Sequence, residues 1–332
     1  MAELKDAPSR HQVAAPSQTE IRFLSQADVR RLLDVDLLLG ALERVFIELS
    51  SGRVSVPPRI AAQTPEPGML LAMPGYVGGV LEVKLVSVFA GNHEKGLPSH
   101  QALIALFDEK TGTPVALMDG THITAVRTGA ASAVATKALA RKDARILAIL
   151  GAGVQGRSHL DAVRRVRSFG EIRIASRTRA HAESLAAAHP GVRVVASFED
   201  AVRDADVVCV CTDSPAPVIS REWLKAGAHV TSIGGARGGP ELDPATVRAG
   251  RLAVESRMAF QPYPAGAHEL QGLDSQQAAE LGEILSGKRP GRQSDAEITV
   301  YKSTGHAVED AAAAHLVYER AIKERAGQTV FL

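Results

Sequence analysis

Six residues near the middle of the chain have the spacing to hold a pyrophosphate. Gly151-Ala152-Gly153-Val154-Gln155-Gly156 follows the apolar run Ile146–Leu150 and leads into Arg157–Val166, a segment of helical character. In that strand–turn–helix setting Gly151 permits the tight turn, Gly153 lets the main chain approach a phosphate, and Gly156 lets helix and strand pack closely. The helix start then offers N–H groups without internal partners to the anion. Residues 151 to 156 are therefore candidate dinucleotide contacts. The end of the next strand bears on which dinucleotide it is. Ile172–Ala175 runs into Ser176-Arg177-Thr178-Arg179, with no acid to take both ribose hydroxyls. Arg177 can pair with a 2′-phosphate, and Ser176 and Thr178 can donate to it, whereas an acid would repel it. These residues favour NADPH (NADP+) over NADH; on the plainer reading, Arg177 and Arg179 belong to a solvated turn.

The elements around this turn alternate. Strand candidates at Ile146–Leu150, Ile172–Ala175, Val192–Ala196, Val207–Thr212, His229–Ile233 and Leu252–Val254 have helical segments between most of them. That is the pattern of a parallel sheet with helices on both faces. Upstream, Ser25 to Gly52 reads as one helix, opened by a capping box of Ser25 and Asp28 and stopped at Gly52. From Val56 to Asp119 short apolar runs alternate with turn residues, and Thr111-Gly112-Thr113 fits a hairpin, so this part is read as antiparallel strands. Thr121–Leu139 is Ala-rich and helical, as is the tail from Ala307 to Ala326. The polar leader, residues 1–18, is read as disordered.

Composition narrows the class. The 332 residues are 45% hydrophobic and 23% charged, with a formal net charge of +1 and no long run of one sign. That argues against a nucleic-acid or membrane-surface partner. No apolar stretch is long enough to span a membrane. The two cysteines, Cys209 and Cys211, lie two apart on one strand, which suits reduced, buried thiols and a cytoplasmic setting. No metal is expected.

Several further motifs occur in order: Gly96-Leu-Pro-Ser-His-Gln101, Met118-Asp-Gly-Thr-His-Ile-Thr-Ala-Val-Arg-Thr128, Ala131-Ser-Ala-Val-Ala-Thr136, Ile149-Leu-Gly-Ala-Gly-Val-Gln155 and Tyr301-Lys-Ser-Thr-Gly-His-Ala-Val-Glu-Asp310. Together they resemble the ornithine cyclodeaminase/mu-crystallin family, over about Ser25 to Tyr318 and most closely its ketimine reductase branch. The resemblance implies an α/β protein with a Rossmann dinucleotide-binding domain, residues 123–306. A discontinuous α+β substrate and dimerisation domain, residues 1–122 and 307–332, would supply an antiparallel sheet. It also implies a homodimer and a small carboxylate-bearing imine as substrate.

The same resemblance marks Arg59, Lys84 and Arg127 as the basic residues of the substrate site and the candidate catalytic set. Arg59 follows Pro57-Pro58 in an extended segment, where its planar fork suits a carboxylate. Lys84 lies in an apolar strand, so it faces solvent or is buried with a partner. Arg127 lies in the first turns of a helix, whose dipole favours an anion. Three cations alone would disfavour an iminium unless the bound carboxylate offsets them. Ser303 and Gly305 are matched to the substrate loop. Ser99, His100, Arg127, Thr128, Thr212, Ile233 and Lys302 are matched to the cofactor, and Thr128 and Ser132 could frame its phosphates. The cyclodeaminases carry an aspartate shortly after the fifth strand. Here Ala236 stands closest, and Glu241 and Asp243 come late. Alanine exchanges no proton, so the expectation is NADPH-dependent imine reduction. A cyclodeaminase with tightly bound NAD, an amino-acid dehydrogenase such as alanine dehydrogenase, and a non-catalytic small-ligand binder are the alternatives.

Overall fold

The computed structural model describes residues 18–65, 68–234 and 239–332. The expected leader, apart from Gln18, and Ala236 lie outside the described residues. Two eight-stranded sheets organise the rest. The first contains β1 (Glu20–Leu24), β2 (Val54–Ser55), β3 (Ile60–Gln63), β4 (Gly68–Val77), β5 (Val80–Phe89), β6 (His100–Phe107), β7 (Pro114–Asp119) and the chain's last strand, Gln328–Phe331. Strands β4 to β7 form an antiparallel meander, as the alternating sequence predicts. Strand β1 runs parallel to β7 and pairs on its other side with the last strand, so both ends of the described chain close this sheet.

Period-two burial gives this sheet two unlike faces. On β5 the inward residues are Glu82, Lys84 and Val86, and on β6 they are Ala102, Ile104 and Leu106. The outward residues include Leu70, Leu85 and Leu103, which are 48%, 38% and 48% exposed, with Leu85 directly opposite Leu103. Among the described residues, the helices pack on the inner face. The span expected as one helix from Ser25 to Gly52 is two, α1 (Gln26–Leu32) and α2 (Val35–Ser50). The break has a local cause: Asp34 Oδ1 accepts the Asp36 and Leu37 N–H groups at 2.9 and 3.1 Å and caps a new helix. The capping box of Ser25 and Asp28 is formed, and Gly52 takes φ +71° beyond the end of α2.

Helix α3 (Gly120–Leu139) leads from β7 into the second sheet. That sheet holds β8 (Ile146–Leu150), β9 (Glu171–Ala175), β10 (Val192–Val194), β11 (Val207–Val210), β12 (His229–Ser232), β13 (Arg251–Val254), β14 (Ala279–Glu280) and β15 (Thr299–Lys302). All pair in parallel, in the order β10-β9-β8-β11-β12-β15-β13-β14. Its helices are α4 (Val154–Val166), α5 (Arg179–Ala187), α6 (Phe198–Val202), α7 (Pro244–Ala249) and α8 (Leu281–Leu285). The chain then ends with α9 (Ala307–Glu324) and β16, the strand Gln328–Phe331. Strand order reverses between β8 and β11, the place where a doubly wound sheet opens its ligand crevice.

Strand β15 is the main departure from the sequence reading, which names no strand there and sets Lys302 in a loop. Thr299, Val300, Tyr301 and Lys302 are all buried to 0% exposure between β12 and β13. Helix α9 follows within a few residues and packs on α3, β4 and β5. The chain therefore passes from the middle of the parallel sheet straight onto the antiparallel one.

Helix α3 fixes the relation between the two sheets. It touches α2, α9 and β6 on one side and α4 on the other. At its crossing with α4, a Cβ on Gly129 would lie 2.5 Å from Ser158 Oγ and 2.6 Å from Ser158 O. Ser158 Oγ also donates to Ala125 O at 2.5 Å. Gly129→Ala is thus expected to force the helices apart at a cost of about 1–3 kcal/mol. A lower urea midpoint at unchanged slope would show it.

Candidate active site

The first turn of α9 gathers the charge. Glu309 and Asp310 are each 0% exposed there, where the helix dipole favours carboxylates. His306 caps the helix: its main-chain N–H donates to Glu309 Oε1 at 3.0 Å, and its Nδ1 accepts from Val308 N at 3.5 Å. Burial and the nearby Arg59 push the His306 imidazole down to about 3, so it is neutral.

Two of the three expected basic residues end on this acid pair. Lys84, on the inner face of β5, donates from Nζ to Asp310 Oδ2 at 2.6 Å. Arg127, two turns into α3, donates from Nε to Asp310 Oδ1 at 3.0 Å and from Nη1 to Glu309 Oε2 at 2.8 Å. Asp310 thus bridges a lysine and an arginine. Burial opposes its charge, but Arg127 and Lys84 hold it below the usual carboxylate range. Lys84 is pulled the other way: burial brings its ammonium down to about 8, although Asp310 supports it. Burial also raises Glu309, to about 7, against the pull of Arg127.

Arg59 lies just before β3 and is partly exposed. Its Nη2 donates to Thr304 O at 3.1 Å and also to Gly305 O. These carbonyls belong to the loop that leaves β15. Gly305 has φ +73°, and a Cβ there would lie 2.5 Å from Arg127 Nη1, so only glycine lets the guanidinium pass. The loop is itself tied down. Glu255, just past β13, accepts from Ser303 Oγ, from Thr304 N at 3.0 Å and from Gly305 N at 2.9 Å. Arg59, Lys84, Arg127, Ser303 and Gly305 are therefore brought together at the carboxyl end of a central strand of the parallel sheet.

The glycine turn lies at the switch point. Gly151 has φ +99°, and a Cβ on it would be 2.4 Å from Cys211 O. A Cβ on Gly156 would be 2.0 Å from Gly151 O. Around Gly153 there is open space within 4 Å, and no side chain caps α4. An uncapped helix start beside open space fits a pyrophosphate. The helix begins at Val154, three residues before the sequence suggests, so Val154, Gln155 and Gly156 form its first turn. At the end of β9, Arg177 and Thr178 are exposed and Ser176 is half-buried, while Arg179 pairs with Glu183 at 2.8 Å.

Other expected cofactor residues have partners of their own. Thr212 donates from N and from Oγ1 to Glu241 Oε1, both at 2.7 Å. Glu241 Oε2 accepts from Ser232 Oγ and Gly234 N, both at 2.8 Å. Glu241 thus clamps the ends of β11 and β12, a role invisible to a search for a proton donor. Ile233 N donates to Val210 O at 3.3 Å, extending the ladder. Lys302, expected in a loop over the cofactor, is instead 0% exposed at the end of β15. Its Nζ donates to Ser232 Oγ at 2.8 Å and to Gly234 O, and lies 3.0 Å from Glu269 Oε1. Thr128 Oγ1 donates back along α3 to Thr124 O at 2.7 Å. Ser132 Oγ is engaged by His159 Nε2 at 2.9 Å, inside the α3–α4 contact. Ser99 Oγ and His100 Nδ1 lie 3.1 Å apart at the start of β6, Ser99 half-buried and His100 exposed. The carboxylates Glu82, Glu255, Glu309 and Asp310 escaped the sequence reading. The buried cations Lys84 and Arg127 demand such counter-charges, and the acid pair stood in the quoted Tyr301–Asp310 motif.

Comparison with known proteins agrees across nearly the whole chain. The profile of the ornithine cyclodeaminase/mu-crystallin family matches residues 19–325. A ketimine reductase mu-crystallin from Mus musculus is 40% identical over 306 residues, covering 90% of this chain and 96% of its own. Among solved structures, Thermococcus litoralis Delta(1)-pyrroline-2-carboxylate reductase in complex with NADH and L-proline superposes with a TM-score of 0.88 at 38% identity, covering 93% and 100% of the two chains. An archaeal alanine dehydrogenase dimer with bound NAD gives 0.87 at 32% identity, covering 94% and 99%. With a Rossmann-type parallel sheet joined by α3 and the β15 loop to a basic, acid-buttressed cluster on the other sheet, and with the family profile matched over residues 19–325, this chain belongs to the ornithine cyclodeaminase/mu-crystallin family.

Proposed function

We propose that this protein is a nicotinamide-dependent oxidoreductase that reduces a small carboxylate-bearing imine, with NADPH as the preferred donor. The observation that carries this reading is the loop Ser303–Gly305. It continues from the carboxyl end of β15, where dinucleotides meet their substrates in such sheets, and its carbonyls and Gly305 meet Arg59 and Arg127. A basic anion site thus adjoins the nucleotide crevice.

The chain's own residues would do three things. Arg59, Lys84 and Arg127 hold the substrate carboxylate, fixing the C=N carbon in one place. Lys84, brought down to about 8, can hold or give up a proton near neutral pH at the imine nitrogen. Glu255 and Glu241 keep the β15 loop and the ends of β11 and β12 still. The bound cofactor would supply the hydride. For the choice of cofactor, the support is Arg177 at the end of β9 in a turn without an acid; the two solved structures above hold NADH and NAD.

We also propose a homodimer formed through the outer face of the first sheet, where Leu70, Leu85 and Leu103 are exposed; the archaeal alanine dehydrogenase above is a dimer. Two buried free thiols suit a reducing, cytoplasmic compartment. Among the described residues no helix is long and apolar enough to cross a membrane.

The deciding experiment is an NADPH-consumption screen with cyclic imine carboxylates, and with pyruvate or glyoxylate plus amines. Oxidation that none of them stimulates would end the proposal, and ammonia release from ornithine without added cofactor would favour cyclodeamination. Arg59→Ala should raise KM for the active carboxylate substrate by about ten- to a hundredfold, the worth of a lost charge-assisted pair; an unchanged KM removes Arg59 from the site. Arg177→Ala should reduce the NADPH over NADH preference in kcat/KM by about tenfold or more. Equal preference in both proteins would return Arg177 to a solvated turn. Leu103→Glu, which sets a charge on the outer face, should convert dimer to monomer in analytical ultracentrifugation.

A further inference from the structure

The reduction proposed above leaves one buried acid without a task. Glu82 lies two residues before Lys84 on β5, so both side chains leave the same face of the strand. Glu82 is 2% exposed, and neither carboxyl oxygen has a hydrogen-bond partner among the described residues. Strand β4 offers it Gly75, where an added Cβ would be 3.2 Å from Glu82 Oε1 and 3.1 Å from Ala307 Cβ. Strand β6 sets Leu106 opposite. The charged groups that face it are Asp310 from α9, Lys84 from its own strand and Arg127 from α3. Both cations are already held by Asp310, and Arg127 also by Glu309.

An ionised carboxylate this deep and without donors is strongly disfavoured. Burial, reinforced by Asp310, holds the Glu82 carboxyl well above the usual range, against the pull of Lys84 and Arg127. The neighbouring acids cannot store a proton as readily for the lysine. Asp310 is kept ionised by its two cations, and Glu309 is bound to Arg127 and the α9 cap instead of Lys84.

We propose that Glu82 is a positioning residue for the reduction, storing the proton that restores Lys84 after the lysine has protonated the imine. This rests on the reading given under Proposed function. The Lys84 ammonium breaks one N–H bond as the imine nitrogen gains one, leaving a neutral amine and an iminium. The Glu82 O–H bond then breaks as Lys84 regains its proton, and the Glu82 carboxylate takes another from solvent. The relay moves protons only; the two electrons of the reduction arrive with the hydride from the nicotinamide.

Two readouts test it. In infrared titration of the resting protein, the wild type should show a protonated-carboxyl band at neutral pH that Glu82→Gln lacks. In steady-state reduction, Glu82→Gln should move the alkaline limb of kcat to lower pH. Near pH 6 kcat should stay within about twofold of wild type, and near pH 9 it should fall about tenfold, a modest share of what a positioned proton donor contributes. KM should change by less than about twofold. Glu82→Asp, which keeps an acid, should restore part of the limb; if Glu82→Gln does not fold, the band shift in Glu82→Asp supplies the assignment. Superimposable pH profiles, a uniform loss at every pH, or no band at neutral pH would overturn the inference. A protonated Glu82 in a protein that reduces no imine would overturn the functional reading instead.

Discussion

The structure turns on the shared carboxylate of Asp310. It binds Lys84 from the antiparallel sheet and Arg127 from the helix that joins the sheets, and it stands in the first turn of the helix that follows the parallel sheet. Three parts of the fold therefore meet at one buried acid. Breaking a buried pair of this kind costs about 3–5 kcal/mol, because the partner left behind keeps its charge without water. The helix start lessens the cost of burying the acids, since its dipole and the His306 cap act on the same turn. Docking of α9 and assembly of the basic cluster are thus one event.

The acids also answer the electrostatic difficulty raised by three cations beside an iminium. Arg59, Lys84 and Arg127 are matched by Glu82, Glu255, Glu309 and Asp310, of which burial keeps Glu82 and part of Glu309 protonated near neutral pH. The cluster is close to balanced before any ligand enters. A bound substrate carboxylate adds one negative charge, and the proton that Lys84 passes to the imine nitrogen moves positive charge within the cluster without changing its total. Under the proposed function, the site holds the carboxylate and the iminium formed beside it. The cations fix the carboxylate's orientation, while the acids keep the positive nitrogen tolerable.

Much of the fold was legible in the sequence, and the exceptions have physical causes. The parallel sheet announced itself through apolar runs punctuated by helices, and the glycine turn through its spacing. Strand β15 did not, because Thr299-Val-Tyr-Lys302 is short and ends in a lysine that normally marks a surface. Only the partners Ser232, Gly234 and Glu269, 33 to 70 residues away, make its burial tolerable. The break between α1 and α2 is the reverse case, a local capping signal at Asp34 masked by apolar residues that continue at helical spacing through it. The basic residues were readable by type and by family likeness. Their acidic partners were not, since an acidic pair at a helix start reads equally well as a solvent-facing cap.

Gly305 shows why the site cannot be divided between the two sheets. A side chain there would strike Arg127, and its carbonyl holds Arg59, so one residue sets the spacing between two cations from different elements. Glu255 holds Gly305 through its main-chain N–H, and Glu255 is anchored by β13 of the parallel sheet. A shift of the parallel sheet relative to the antiparallel one would therefore change the gap between Arg59 and Arg127. In the proposed reaction that gap is the seat of the substrate carboxylate, and the same sheet carries the nucleotide turn. In the proposed reaction, the geometry that seats the acid and the geometry that seats the hydride donor are set by the same two connections, α3 with its Gly129 crossing and the β15 loop, so the fold itself aligns substrate and cofactor.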